Sequence, residues 1–444
     1  MFETLKNAWK IADLRKKILF TLFIILIFRI GSAIPVPYLE LDALKETMTQ
    51  IQKSGTILSY FNALSGGAFE NGTIFAMGIT PYINSSIIIQ LLTVAIPALE
   101  RMAKEGEEGH KKIAQITRYT TIGLGLLQGA AFWWFLNNST TDKGERIVKF
   151  TSGWPQVFSA VVIILVFTAG TALMMWLGEQ INEHGIGNGI SILLFAGIIA
   201  SAPSGIATLY SLIKLGIQGE TRYLYLVPLA ILVLLAMVVF IIFMDNAERK
   251  IPIQYAKRVV GRKMYGGQST YMPIKVNMNG VLPIIFASSI ISIPATIKMF
   301  KYGTTVPTVK SFWYKALSVF DSGGWVYPIL YFILILFFAY FYVSIQYNPI
   351  EMANNLRKNS GAIPGIRPGK PTSDYISKII FRITLIGALF LAVIALVPIL
   401  VQTASGIRLA VGGTTLLIVV GVALETVKQL ESQMLMRHYK GFLE

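Results

Sequence analysis

Cysteine is missing altogether from this sequence. That excludes a disulfide framework, a thiolate nucleophile and any cysteine-ligated metal site, though it does not fix a redox compartment. Charge is scarce too: Asp, Glu, Lys and Arg make up 14% of 444 residues, where a soluble protein carries about a quarter. Histidine occurs only as His110, His184 and His438. No ligand spacing relates the three, so no metal site is expected. Glu179 and Glu183 share a helix face at i, i+4 but lack a partner acid or nucleophile at catalytic spacing. No catalytic constellation is found, and no cofactor is expected. His184-Gly185-Ile186-Gly187-Asn188-Gly189 looks like a phosphate-cradling glycine loop, yet no strand precedes it and no Lys-Ser/Thr follows. It reads instead as a helix start near a membrane surface.

What is present is apolar. Hydrophobic residues reach 54% and mean hydropathy +0.60, so the solvent this chain meets is largely lipid. Its net charge of +16 could point to nucleic acid, but in a membrane protein the position of the charge outweighs its sum. Residues 1–17 form an amphipathic stretch, with Phe2, Leu5, Trp9 and Ile11 among Lys6, Lys10, Arg15, Lys16 and Lys17. A long apolar run follows with no small-residue cleavage site. The reading is an interfacial helix ahead of a retained first span.

A span needs roughly 20 mainly apolar residues. Ten segments qualify or nearly so: 18–34, 74–99, 119–136, 157–177, 190–207, 223–244, 281–297, 325–347, 379–401 and 409–424. Such continuous runs satisfy their backbone in lipid only as helices; an outer-membrane barrel would show short alternating segments. Lys and Arg sort by loop. With the N-terminus inside, the inner segments hold 25 of the 39 and the outer loops 12, with Arg29 and Arg382 inside spans. That bias places both termini in the cytoplasm. The outer loop with Lys298, Lys301, Lys310 and Lys315 runs against it. Two inner loops, 247–276 and 348–375, are unusually long and basic. They either enforce topology alone or offer a surface to a cytosolic partner with acidic or RNA character.

The ten spans divide five and five, with matching irregularities. The second span is interrupted by Gly78-Ile79-Thr80-Pro81, and its counterpart, the seventh, opens Asn279-Gly280-Val281-Leu282-Pro283. The fifth and tenth spans begin after Gly185-Ile186-Gly187-Asn188-Gly189 and Gly412-Gly413-Thr414-Thr415. Breaks at corresponding positions point to an inverted repeat with a pathway between its halves. An odd number of spans per half makes those halves antiparallel. Beside the breaks stand aliphatic residues: Ile79, Ile83, Ile190, Leu194, Ile285 and Ile418. A transporter places ionisable groups near the midplane, and these spans hold almost none. A hydrophobic constriction that excludes water fits better than a binding site. The alternative, a secondary transporter with inverted repeats, requires a small-molecule site at the level of Pro81 and Pro283. Residues 55–69, with Gly66, Gly67 and Gly72 as hinges, are too polar to span and too apolar for an ordinary loop. They either re-enter the protein interior or form an interfacial helix.

Several stretches together carry a resemblance. Gly78-Ile79-Thr80-Pro81-Tyr82-Ile83 with Ile87-Ile88-Ile89-Gln90-Leu91-Leu92 resembles the second span of the SecY family. Met175-Trp176-Leu177-Gly178-Glu179-Gln180-Ile181, running into Gly185-Ile186-Gly187-Asn188-Gly189-Ile190-Ser191, is similar to its fourth-to-fifth connection. Tyr255-Ala256-Lys257-Arg258 with Gln268-Ser269-Thr270, and Arg357-Lys358 with Gly365-Ile366-Arg367-Pro368-Gly369, resemble its two basic loops.

The resemblance implies an all-α integral membrane protein whose ten transmembrane helices form two inverted five-helix halves, a clamshell around a central pore. Residues 18–207 and 208–427 are the halves, and 428–444 a cytosolic tail. Ile79, Ile83, Ile190, Leu194, Ile285 and Ile418 would form a pore ring. Residues 56–72, with Tyr60, Phe61, Leu64, Gly66 and Gly67, would form a plug. Spans two and three would face spans seven and eight across a lateral gate that includes Asn84, Gln128, Ser289 and Ile293. Arg258, Arg357 and Arg367 would engage the ribosome or the SecA motor ATPase. Small membrane subunits resembling SecE and SecG are implied partners, with signal sequences and membrane lipids. The implied activity is a passive protein-conducting channel of the bacterial cytoplasmic membrane, with no fuel site of its own.

Overall fold

The computed structural model describes residues 2–53, 62, 65–139, 146–150, 152–255, 258–260, 263–265, 269–278, 280–302, 312–320, 324, 326–405 and 412–440. A short helix α1 (Phe2–Lys10) leads into α2 (Ala12–Gly31) and α3 (Leu41–Lys53). There follow α4 (Thr80–Ala95), α5 (Pro97–Lys104), α6 (Glu107–Asn138), α7 (Gly153–His184), α8 (Gly189–Ile217) and α9 (Arg222–Asn246). The rest of the bundle is α10 (Leu282–Tyr302), α11 (Phe312–Ser318), α12 (Val326–Gln346), α13 (Pro349–Lys358), α14 (Lys370–Ser405) and α15 (Gly413–Lys440).

Helix occupies each of the ten apolar segments. Six of these helices, α7, α8, α9, α12, α14 and α15, are long and apolar enough by themselves to cross a membrane. The pair α4 and α5, bent by 100°, makes a seventh if it is taken as one span. Of the other three, α2 carries Arg15, Lys16, Lys17 and Arg29, α6 is rich in glycine and threonine, and α10 is apolar over its described stretch Leu282–Ile291.

Segment 74–99 is not one interrupted helix. Residues 74–79 are turns, and α4 begins at Thr80 with Pro81 in its first turn. Proline is favoured there because its missing N–H has no helical partner to lose. Gly78, at φ +55°, makes the entry that a β-carbon would oppose. The second half repeats this device. Gly280 has φ +58°, α10 begins two residues later, and Pro283 follows in its first turn. At the far end of α4, Ile96 is extended ahead of Pro97, as the residue before a proline prefers, and there the chain turns into α5.

The halves match in packing as well as in sequence. In the first, α6 packs on α7 and α4, α7 on α8, and α2 on α7 and α8, with α4 also touching α7. In the second, α12 packs on α14 and α10, α14 on α15, and α9 on α14 and α15, with α10 touching α14. Each of these pairings in one half has its counterpart in the other. The agreement reaches single glycines. Gly170 of α7 has no room for a β-carbon beside the Ile74 carbonyl oxygen, and Gly387 of α14 has none beside that of Val276. Gly189, opening α8, presses on the Gly178 carbonyl, and Gly413, opening α15, on that of Ile394. Small residues at such crossings let backbones approach closely where lipid supplies no hydrophobic drive. Between the halves, α8 meets α9 and α15 on one side, and α6 meets α10 on the other.

The two basic loops are not separate. Strands β1 (Glu248–Tyr255), β2 (Arg258–Val260), β3 (Lys263–Tyr265) and β4 (Ser269–Lys275) come from the first, and β5 (Gly361–Ala362) from the second. β1 pairs antiparallel with β4 from Glu248↔Lys275 to Gln254↔Ser269, and with β5 at Gln254↔Ala362 and Tyr255↔Gly361. One face of this three-stranded sheet is apolar. Ile251 and Ile274 are buried with Ile363 and with Ile376, Ile380 and Ile383, the last three on α14.

Candidate functional site

The four helices that begin at the repeat breaks bring the six aliphatic residues together. Ile79 is the N-cap of α4 and Ile83 lies one turn on; Ile190 and Leu194 occupy the first turns of α8. Asn188 caps α8 by accepting the Ser191 N–H (3.3 Å), so the glycine loop is a helix start and not a phosphate cradle. Ile79, Leu194 and Ile418 are 2%, 8% and 4% exposed and share one apolar cluster, with Ile83 and Ile190 packed against it. Ile285 packs in the neighbouring cluster, which Ile83 and Val281 join to the first. The groups that meet at the breaks are thus aliphatic, and none offers the ionisable anchor a small-molecule transporter requires.

Ala68 belongs to this same cluster. It lies in the segment that the sequence leaves open between re-entry and an interfacial helix; among the described residues of that segment Ser65, Ala68 and Phe69 are buried, as are Thr73, Phe75 and Ala76 just after it, and this burial favours re-entry. The segment closes on itself through polar groups. The Glu70 N–H donates to Asn62 Oδ1 and Asn62 Nδ2 to Glu70 Oε2, both at 3.0 Å. The Thr73 hydroxyl donates to the Ala68 carbonyl (3.1 Å). Its far end is tied to residues 34–36, with Val36 N–H on the Gly72 carbonyl (2.8 Å) and Ile74 N–H on that of Ile34 (3.1 Å). The Phe69 ring packs tilted against that of Phe132 of α6, with centroids 4.4 Å apart. Gly66 and Gly67 are half-buried turn residues here; Tyr60, Phe61 and Leu64 lie outside the described residues.

At the expected gate, α4 and α10 meet through aliphatic side chains. Ile87 of α4 is buried in a cluster with Ile284 and Ile291 of α10 and with Tyr331, Ile335 and Phe338 of α12. Asn84 and Gln128 are half-buried, and among the described residues neither makes a hydrogen bond. Ser289 is half-buried on α10; Ile293 lies in the same helix, with its side chain outside the described residues. Arg258 opens β2, its side chain likewise outside them. Arg357 in the last turn of α13 and Arg367 ahead of α14 are exposed.

Two links escape a reading by spacing. Arg118 Nε of α6 lies 2.7 Å from Glu179 Oε1 of α7, giving that acid its partner. The Ile186 N–H donates to Thr21 Oγ1 of α2 (3.1 Å), tying the loop before α8 to the first long helix. His110 and His184 are exposed, and among the described residues no group of three His, Cys, Asp or Glu could hold a metal.

The SecY family model matches residues 73–427. Protein translocase subunit SecY of Streptomyces coelicolor is 45% identical over 446 residues, covering all of both chains. The same subunit of Bacillus subtilis is 46% identical over 449 residues, again over the full length of both. Among solved structures, a protein-conducting channel superposes with a TM-score of 0.61 at 18% identity, covering 95% of this chain and 92% of that one. A SecY structure described for a plug domain that stabilises the closed state superposes at 0.64 and 18% identity, with the same coverage. Identity this low speaks for the fold alone, but the full-length sequence matches reach further: the chain belongs to the SecY family.

Proposed function

We propose that this chain is the central subunit of a protein-conducting channel. It translocates unfolded secretory polypeptides across the bacterial cytoplasmic membrane and releases hydrophobic segments sideways into it. The observation that carries this reading is the meeting of aliphatic residues from both halves around Ala68 of a re-entrant segment. An aliphatic ring makes no specific hydrogen bonds, so it can close around chemically varied chains and exclude water when empty. Ile79, Ile83, Ile190, Leu194, Ile285 and Ile418 form that ring, and residues 56–72 act as the plug. The α4–α10 contact at Ile87 is the lateral gate. A signal sequence shifts this gate only by binding the open state better than the closed one.

The chain supplies no energy of its own. Relatives at 45% identity carry the name protein translocase subunit, and one solved relative of the fold is a ribosome-bound channel. Both support a role for the basic sheet and for Arg258, Arg357 and Arg367 as the platform for the ribosome or for SecA. SecE and SecG complete the assembly, and both termini lie in the cytoplasm, as the Lys/Arg distribution requires.

The test is a stalled translocating chain crosslinked to a photoreactive residue at position 79 or 285. Crosslinks to the nascent polypeptide are expected at both. Crosslinks to lipid alone would overturn the channel.

A further inference from the structure

The outer face of α14 carries a stripe of exposed apolar side chains, Phe381, Leu385, Ile386, Leu389 and Val393. Lys378 and Arg382, also exposed, lie in this stripe one turn apart, at the end nearest the sheet. Neither reaches an acid within ion-pair distance among the described residues. Two like charges at i, i+4 repel, and a charge on a lipid-facing surface is costly unless it reaches the headgroup level or meets a counter-ion. Beside them stands Tyr340 of the neighbouring α12. Its hydroxyl donates to the Phe381 carbonyl (3.4 Å), and its ring lies 4.8 Å from that of Phe381. Phe337, one turn away on α12, is exposed next to it.

We propose that Lys378 and Arg382 hold the phosphate of an anionic phospholipid, whose acyl chains lie on the exposed Phe381, Leu385 and Phe337 where α12 packs on α14. A single phosphate between the two cations turns their repulsion into attraction, and a basic pocket between transmembrane helices is the setting in which such headgroups bind. Tyr340 marks the level of the interface, where an amphipathic ring is favoured, and holds Phe381 in place as a wall for the chain. The site lies on the outer surface and does not depend on what passes between the halves.

The test uses the full-length chain, purified in detergent and given phosphatidylglycerol with a photoreactive group in its acyl chain. Crosslinks are expected on residues 337–344 and 378–389. They should fall roughly thirtyfold in apparent affinity in the Lys378→Gln/Arg382→Gln variant and return in Lys378→Arg/Arg382→Lys. Unlabelled phosphatidylglycerol should displace the probe, while phosphatidylcholine and inorganic phosphate should not. Should the double variant unfold, each single variant is expected to lose about fivefold. Undiminished crosslinking in the glutamine variants, or displacement by inorganic phosphate as effective as by phosphatidylglycerol, overturns the proposal.

Discussion

Gly66 rests on the backbone of Gly197: a β-carbon at Gly66 would come within 2.6 Å of the Gly197 carbonyl oxygen. This is where the re-entrant segment touches α8 without a side chain between them. Gly66 also has φ +67°, a left-handed conformation. Replacing it with Ala adds a steric overlap to a backbone cost of roughly 1–2 kcal/mol. Gly67, at φ +82°, has only Asn71 Nδ2 near the place of a β-carbon, at an ordinary contact distance of 4.0 Å, so Gly67→Ala carries the backbone cost alone. Gly66→Ala is therefore expected to loosen the closed state more than Gly67→Ala, read as ion conductance in planar bilayers. Equal conductance in both variants would show that the contact does not hold the segment shut.

Ile79 is almost fully buried in the central cluster. An amide placed there without partners costs about 1–3 kcal/mol, and that cost falls on the closed, dry arrangement. Ile79→Asn should shift the balance toward opening by about 5- to 150-fold, with the half-buried Ile83→Asn and Ile285→Asn showing the same sign and smaller effects. Export of a substrate with a defective signal sequence is the assay, and unchanged export with unchanged ion leak would count against the ring.

Arg357 is exposed at the end of α13, whose last turn it shares with Lys358. Charge reversal, Arg357→Glu, removes nothing from the core. Motor-driven export is expected to drop while the amount of channel in the membrane stays level. Loss of the protein from the membrane would instead make the residue structural.

The Arg118–Glu179 pair is 46% and 23% exposed on its two sides. A pair so open to solvent contributes about 0.2–1 kcal/mol. In a double-mutant cycle, Arg118→Gln and Glu179→Gln should each lower the melting temperature slightly. Their combination should lose less than the sum of the two. Strict additivity would mean that the contact carries no stability.

Much of this architecture is readable in the chain because lipid imposes long apolar helices and because the repeat writes its breaks twice. Gly78 with Pro81, and Gly280 with Pro283, were visible as breaks. That the first of these starts a helix rather than interrupts one depends on the turns of residues 74–79, which hydropathy cannot distinguish from helix. The convergence of Ile79, Leu194 and Ile418 follows from helix starts that glycine and asparagine mark. Longer reach was hidden. Tyr255 pairs with Gly361 across more than a hundred residues, and a two-residue strand leaves no periodic trace. The ion pair of Glu179 with Arg118, on another helix, also leaves no trace in spacing. Where α4 nears α10, polar Asn84 and Gln128 stand out in the sequence, while the buried cluster there holds Ile87, one isoleucine among many.

The sheet that joins the two basic segments hangs from one half alone. β1 and β4 lead out of α9 and into α10, β5 lies between α13 and α14, and the buried isoleucines beneath them belong to α14. The first half contributes no strand to it. Anything that bears down on this sheet therefore loads one shell of the clam and leaves the other at rest. A simple push becomes a torque about the seam where α8 meets α9, and the sheet is its lever arm.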